Sequence, residues 1–119
     1  MVSALASIVG ALALFSSPYI MANEYAGEAT WYQPGRGACG AMNKPSDLIA
    51  ALNKPQWQTS HCGECVTVSG PNNQTIKVQI IDMCEACTHG CLDLSPGAFQ
   101  QLGGLPEGRL AIAWNWTTC

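Results

Sequence analysis

Seven cysteines in 119 residues constrain this chain more than any other feature. They stand at Cys39, Cys62, Cys65, Cys84, Cys87, Cys91 and Cys119. Cys62-Gly63-Glu64-Cys65 and Cys84-Glu85-Ala86-Cys87 are Cys-x-x-Cys pairs with 18 residues between them, and His61 and His89 lie close by. That spacing suits a four-thiolate zinc site as well as a disulfide framework. The start of the chain decides between the two. Residues 2–15 are apolar with many small side chains, Ser16-Ser17-Pro18 breaks the run, and Ile20-Met21-Ala22 offers a small residue for cleavage. This is the plan of a secretory signal peptide. The apolar run is shorter than the roughly 20 residues a bilayer span needs, which weighs against a signal anchor. The expected organisation is a signal peptide over 1–22 and one domain over 23–119, secreted and extracellular. In an oxidising compartment thiols pair with each other, so disulfides are expected, with no metal and no cofactor. An odd count leaves one thiol over, and Cys91, crowded beside Cys84 and Cys87, is the candidate. It stays free or bridges two molecules, so a monomer is expected, with a disulfide-linked dimer as the alternative. No βαβ context surrounds either pair to suggest a redox role.

A domain of this size buries a modest share of its surface, and cross-links offset the shortfall. The formal net charge is -3 and there is no basic patch. Nucleic acid and anionic membranes are therefore poor partners. A neutral polysaccharide fits better. The sequons Asn73-Gln74-Thr75 and Asn115-Trp116-Thr117 are compatible with eukaryotic secretion, Asn73 being the accessible one because it sits in a turn.

Along the chain, residues 27–32 read as a first strand stopped by Gln33-Pro34-Gly35, and residues 36–40 as a glycine-rich loop. Residues 48–52, between Pro45 and Pro55, fit a helical turn or a short buried strand equally. Residues 64–69 and 75–81 form a hairpin around Gly70-Pro71-Asn72-Asn73. Ser95 caps a helix that Pro96 opens and Gly103-Gly104 ends. Residues 109–116 alternate as a final strand. Several short strands and one helix point to a small β-barrel that closes its own edges.

Two carboxylates carry the candidate chemistry. Asp82 ends the β-branched run of residues 75–81, and Asp93 stands 11 residues later, just before the helix. The cysteine-rich segment between them can fold back and bring both to one mouth. Carboxylates accept hydrogen bonds from sugar hydroxyls, and one of them can hold a proton for a glycosidic oxygen. A structural role for both, as a strand end and a helix cap, is the alternative. No serine or cysteine sits in a nucleophile motif with a base. Trp31, Tyr32 and Trp57, near turns, are candidates for stacking on sugar rings, whereas Trp114 and Trp116 belong to packing.

Gly27-Glu28-Ala29-Thr30-Trp31-Tyr32, the strand ending in Asp82, the block Leu92-Asp93-Leu94-Ser95-Pro96-Gly97-Ala98-Phe99 and the tryptophan-bearing last strand together resemble the double-psi β-barrel domain of expansins. The resemblance runs from Gly27 to the end. The extra cysteines and single domain look most like the fungal expansin-like loosenins. It implies a mainly β fold, a six-stranded double-psi β-barrel with one or two short helices. It further implies an open groove lined by Thr30, Asp82 and Asp93, with Asp93 the key carboxylate of any chemistry. Where bacterial expansins place a tyrosine, this chain has Cys84, so Trp31 or Tyr32 is expected to supply the aromatic contact. Analogy with related barrels pairs Cys39 with Cys62 and Cys65 with Cys119, and joins two of Cys84, Cys87 and Cys91.

The implied function is binding and loosening of insoluble cell-wall polysaccharide, cellulose first and chitin second, without net hydrolysis. Inverting hydrolysis needs a base roughly 6.5–9.5 Å from the acid. The related family forty-five endoglucanases carry theirs after the aromatic pair, where this chain has Gln33-Pro34. Asp82 is expected to lie too close to Asp93, on the same side. The alternatives are a weak endoglucanase or lytic glycan-cleaving enzyme, and a barwin-like protease inhibitor or defence-related binding module.

Overall fold

A computed structural model describes residues 24–119; the expected signal peptide lies outside the described residues. Six strands close into a barrel: β1 (Tyr25–Trp31), β2 (Ile49–Asn53), β3 (Cys65–Ser69), β4 (Thr75–Cys84), β5 (Leu92–Leu94) and β6 (Leu110–Thr117). Around the barrel the order is β1-β5-β2-β4-β3-β6. The β1–β5 and β2–β4 pairs are parallel and the other four antiparallel. This is the mixed, mainly β double-psi barrel expected, with one short helix, α1 (Pro96–Gln100), and three 3₁₀ turns among the described residues.

The ambiguity at residues 48–52 resolves as a strand. All five residues of β2 are buried, the inward and the outward ones alike, between β4 and β5 in the barrel wall. A strand covered on both faces loses the alternation that would have marked it in the sequence. The β3–β4 hairpin forms as expected, with Asn73 at φ 66°, a left-handed position that asparagine tolerates. Helix α1 starts where Ser95 Oγ accepts the Ala98 N–H at 3.2 Å, with Pro96 in the first turn.

Inside the barrel, Leu52, Val66, Val68, Val78, Ile80, Leu92, Leu94, Ile112 and Trp114 pack together, and Ala98, Phe99 and Leu102 of the α1 region join them. Each fully buried aliphatic or aromatic side chain stabilises the fold by about 1.5–3 kcal/mol. Three disulfides tie the shell: Cys39–Cys62, Cys65–Cys119 and Cys84–Cys87. Cys91 is the free thiol among the described residues. The two Cys-x-x-Cys pairs therefore do not share a metal. Cys62 and Cys65 bond to partners outside both pairs, and the second pair closes on itself. No helix among the described residues is long and apolar enough to cross a membrane.

Candidate functional site

The barrel registers put four residues in one row. Parallel pairing of β1 with β5 sets Thr30 beside Asp93. Antiparallel pairing of β5 with β2 sets Asp93 beside Ala51, and β2 with β4 sets Ala51 beside Asp82. Ladder neighbours share a face of the sheet. Thr30, Asp93, Ala51 and Asp82 thus run across four strands on the outside of the barrel, while Ala29, Leu92 and Leu94 point inward and are fully buried. With alanine in the middle, nothing bulky separates the two carboxylates.

Asp82 reaches this row through a β-bulge. Ile80 pairs with Ala50 and Asp82 with Ala51, so Ile81 is an extra residue in β4. Ile80 and Ile81 are both buried, and Asp82 then turns outward. The Ile81 carbonyl, outside the ladder, accepts the Cys39 N–H at 3.2 Å and docks the glycine-rich loop. Gly37 lies so close to the Ile81 carbonyl that any Cβ there would collide. Docked in this way, the loop donates the Ala38 N–H to Asp82 Oδ1 at 2.7 Å, beside the Met83 N–H at 2.8 Å. Asp82 Oδ2 accepts from the Tyr32 hydroxyl at 3.3 Å. Burial, then the charge of Asp82, this hydrogen bond and the charge of Asp93 push the Tyr32 phenol far above its ordinary range. Tyr32 is therefore a neutral donor at any working pH.

Asp93 has a different environment. Thr30 Oγ1 donates to its Oδ1 at 2.8 Å. Burial raises its pKa above the ordinary carboxylate value; the Thr30 hydrogen bond lowers it and the charge of Asp82 adds a further rise. The net direction is up, which is what a proton-donating carboxyl requires. Asp93 and Thr30 open onto a pocket of about 450 Å³ whose other walls include Glu28, Cys84, Cys87 and Arg109. Glu28 and Arg109 pair across its rim at 3.0 Å.

The wall carrying Cys84 and Cys87 is held by a buried asparagine. Asn53 Nδ2 donates to the Cys91 carbonyl at 3.0 Å and to Gln56 Oε1 at 2.7 Å, and Gln56 Oε1 accepts the Gly90 N–H at 3.1 Å. Trp114 Nε1 donates to the Gly90 carbonyl at 2.8 Å. Gly27 and Gly90 touch backbone to backbone, and a Cβ on Gly27 would strike the Gly90 carbonyl. These contacts draw residues 84–91 against β1.

The structure brings together Thr30, Tyr32, Asp82 and Asp93 of the residues read from the sequence. Trp31 is not with them. It points the other way from β1, packs against the core and donates Nε1 to the Leu105 carbonyl at 3.0 Å. Strand alternation explains this: Glu28, Thr30 and Tyr32 share one face and Trp31 the other. Trp57 also packs against the core, as does Trp116. Sequence reasoning missed Glu28, Arg109 and the Ala38 N–H. The first was open to discovery, standing two residues before Thr30 on the same strand. A larger cavity, about 720 Å³, lies by β3 and β6, where the His61 ring stacks on Trp116 at 4.4 Å and pairs with Glu64 at 2.7 Å. Glu64 is the side-chain carboxylate lining it, whereas the smaller pocket gathers Glu28 and Asp93 beside Thr30.

The fold and site together define a double-psi β-barrel of the expansin-like kind, with a carboxylate row on its outer face. The chain belongs to the family described as lytic transglycolase, whose model matches residues 24–114. A papain inhibitor from Streptomyces mobaraensis is 34% identical over 100 residues, 76% of this chain and 69% of that protein. The Streptomyces papain inhibitor structure superposes with a TM-score of 0.74 at 32% identity, covering 83% of this chain and 99% of that one. Expansin-YoaJ of Bacillus subtilis (strain 168) is 33% identical over 77 residues, 60% of this chain. A Clavibacter michiganensis expansin mutant in complex with cellohexaose superposes at a TM-score of 0.72 and 29% identity, over 79% of this chain. The match spans 33% of the Bacillus expansin and 50% of the Clavibacter one.

Proposed function

We propose that the chain is a secreted, loosenin-like protein that binds cell-wall polysaccharide across Thr30, Tyr32, Asp82 and Asp93 and loosens it without net hydrolysis. The observation that carries this reading is the row of Thr30, Asp93, Ala51 and Asp82 on one barrel face. It offers hydroxyl and carboxylate groups, spaced across adjacent strands, to the hydroxyls of an extended neutral sugar chain. The cellohexaose in the related Clavibacter expansin supports cellulose as the first polymer, with chitin second.

The absence of net hydrolysis rests on the state of Asp82. The sequence reading set it too close to Asp93 to leave room for a water. The register puts a whole strand between them, so their backbones lie about 9.5 Å apart at standard strand spacing. Both side chains nevertheless share one face of the barrel, the same side of a bound chain, as the sequence reading expected. What disfavours Asp82 as a base is that Oδ1 already accepts two amide N–H groups and Oδ2 the Tyr32 hydroxyl. Gln33 and Pro34, after the aromatic pair, supply no substitute.

The test is reducing-end and anhydro-sugar release on glucans and chitin, beside the mechanical strength of cellulose fibres, for wild type and Asp93→Asn. Fibre weakening without products, lost in the variant, is the expected result. Products that vanish in Asp93→Asn would make the protein a glycan-cleaving enzyme. A second reading, protease inhibition, is favoured by the papain inhibitor's match over nearly its whole length. It predicts papain inhibition that Asp93→Asn leaves intact.

A further inference from the structure

The second Cys-x-x-Cys pair lies against the key carboxylate. Cys84 Sγ, Cys87 Sγ and a carboxylate oxygen of Asp93 are all within 4.8 Å of one another, and all three residues are half-buried. Cys84 is the last residue of β4, and the Cys87 N–H donates to its carbonyl at 3.4 Å, a turn that sends both sulfurs to one side. Thiolates in a Cys-x-x-Cys turn are a standard half of a zinc site. Here the Asp93 carboxylate supplies a third donor, and the pocket leaves a fourth position open to solvent. In the oxidised protein the disulfide withholds both sulfurs. This bridge joins residues only 3 apart, against 23 and 54 for the others, so it restrains the unfolded chain least. The barrel keeps its two long cross-links when this one opens.

We propose that a dithiol reductant converts this disulfide into a binding site for one borderline-soft dication such as Zn²⁺, held by Cys84, Cys87 and Asp93, which withdraws Asp93 from the groove. The reductant's two thiols become its disulfide, and two electrons and two protons pass to Cys84 and Cys87. Both protons leave to solvent as the metal binds the thiolates. The ion takes sulfur at about 2.3 Å and carboxylate oxygen at about 2.0–2.2 Å. The two sulfurs, 2.03 Å apart while bonded, therefore move to about 3.7 Å once the disulfide opens, with the Asp93 oxygen already within 4.8 Å of both. Cys91 lines the same pocket but is engaged elsewhere, its sulfur accepting the Glu28 N–H at 3.4 Å. The metal site stands on these positions alone; its effect on the groove rests on the polysaccharide reading.

The experiment uses the full chain carrying Cys91→Ser, reduced with dithiothreitol, freed of reductant under inert gas and titrated with Co²⁺. One equivalent should bind, with a sulfur-to-cobalt charge-transfer band that the oxidised protein lacks. Alkylation mapping should show Cys84 and Cys87 as the opened pair, and circular dichroism an intact barrel. Asp93→Asn in this background should bind at least about tenfold more weakly. Cys84→Ser/Cys87→Ser should fold and show no band. Three results would overturn the site: no band with both thiols free, equal binding by Asp93→Asn, or a band that survives in the double serine variant. With the band in hand, cellulose pull-down should fall when Zn²⁺ is added to the reduced protein and recover with a chelator. An unchanged pull-down would leave the metal site standing and overturn its effect on the groove.

Discussion

At Asp93 burial and hydrogen bonding pull in opposite directions, and burial prevails. Its folded pKa lies above the ordinary 3.8, so its protonated form fits the fold better than its charged form. Stability from this residue is fully present below the unfolded value and is lost as pH rises through the folded one. Asp93→Asn, which still accepts from Thr30, should therefore raise the melting temperature at pH 7, by about 1–3 °C given the partial exposure of the site. The gain should disappear near pH 3, which a pH series of thermal melts would check. Gly27→Ala makes a different test, because its Cβ meets backbone rather than a movable side chain. It should cost about 2–3 kcal/mol, seen as a lower urea midpoint with an unchanged slope. Among the residues, Asp82 and Asp93 were legible because a β-branched run and a Ser-Pro helix start bracket them. Trp31 and Tyr32 look equivalent in a sequence. Only the strand's phase, set by Ala29 facing inward, separates them.

Element by element, the site depends on irregularities more than on regular strands. The extra residue in β4 frees one carbonyl, that carbonyl docks the glycine-rich loop, and the loop supplies the Ala38 N–H that holds Asp82. On the other wall, Asn53 performs the equivalent task for residues 84–91. Asn53→Ala would leave the Cys91 carbonyl without this donor, at a cost of about 2–3 kcal/mol. The loss should be largest in amide exchange of residues 84–91, with β3 and β6 little changed. Neither device was legible. Ile80-Ile81 reads as ordinary strand until the partner register is known, and Asn53 follows a buried run as a loop residue would. The hairpin and α1 were legible because their signals are local: a turn sequence, a cap and a proline.

For the molecule as a whole, barrel closure leaves no edge strand for a second copy to extend. The three disulfides divide the work of holding it unequally. By the loop-entropy model, Cys65–Cys119, 54 residues apart, stabilises by about 4 kcal/mol, and Cys84–Cys87, 3 apart, by about 1.5. Cys65→Ala/Cys119→Ala should therefore lower the unfolding free energy more than Cys84→Ala/Cys87→Ala, a ranking that denaturant titration would show directly. Barrel class and closure were legible from strand count and family resemblance, whereas the order of strands was not, since five of the six pairings join segments distant in the chain. That distance also governs time. Thr30 and Asp93 are 63 residues apart, and Tyr32 and Asp82 are 50. Contacts so remote in sequence place a chain among the slower folders, in the millisecond-to-second range. No early hairpin or isolated helix can carry the groove, so in a refolding experiment ligand affinity should emerge with the slowest native signal and never ahead of it.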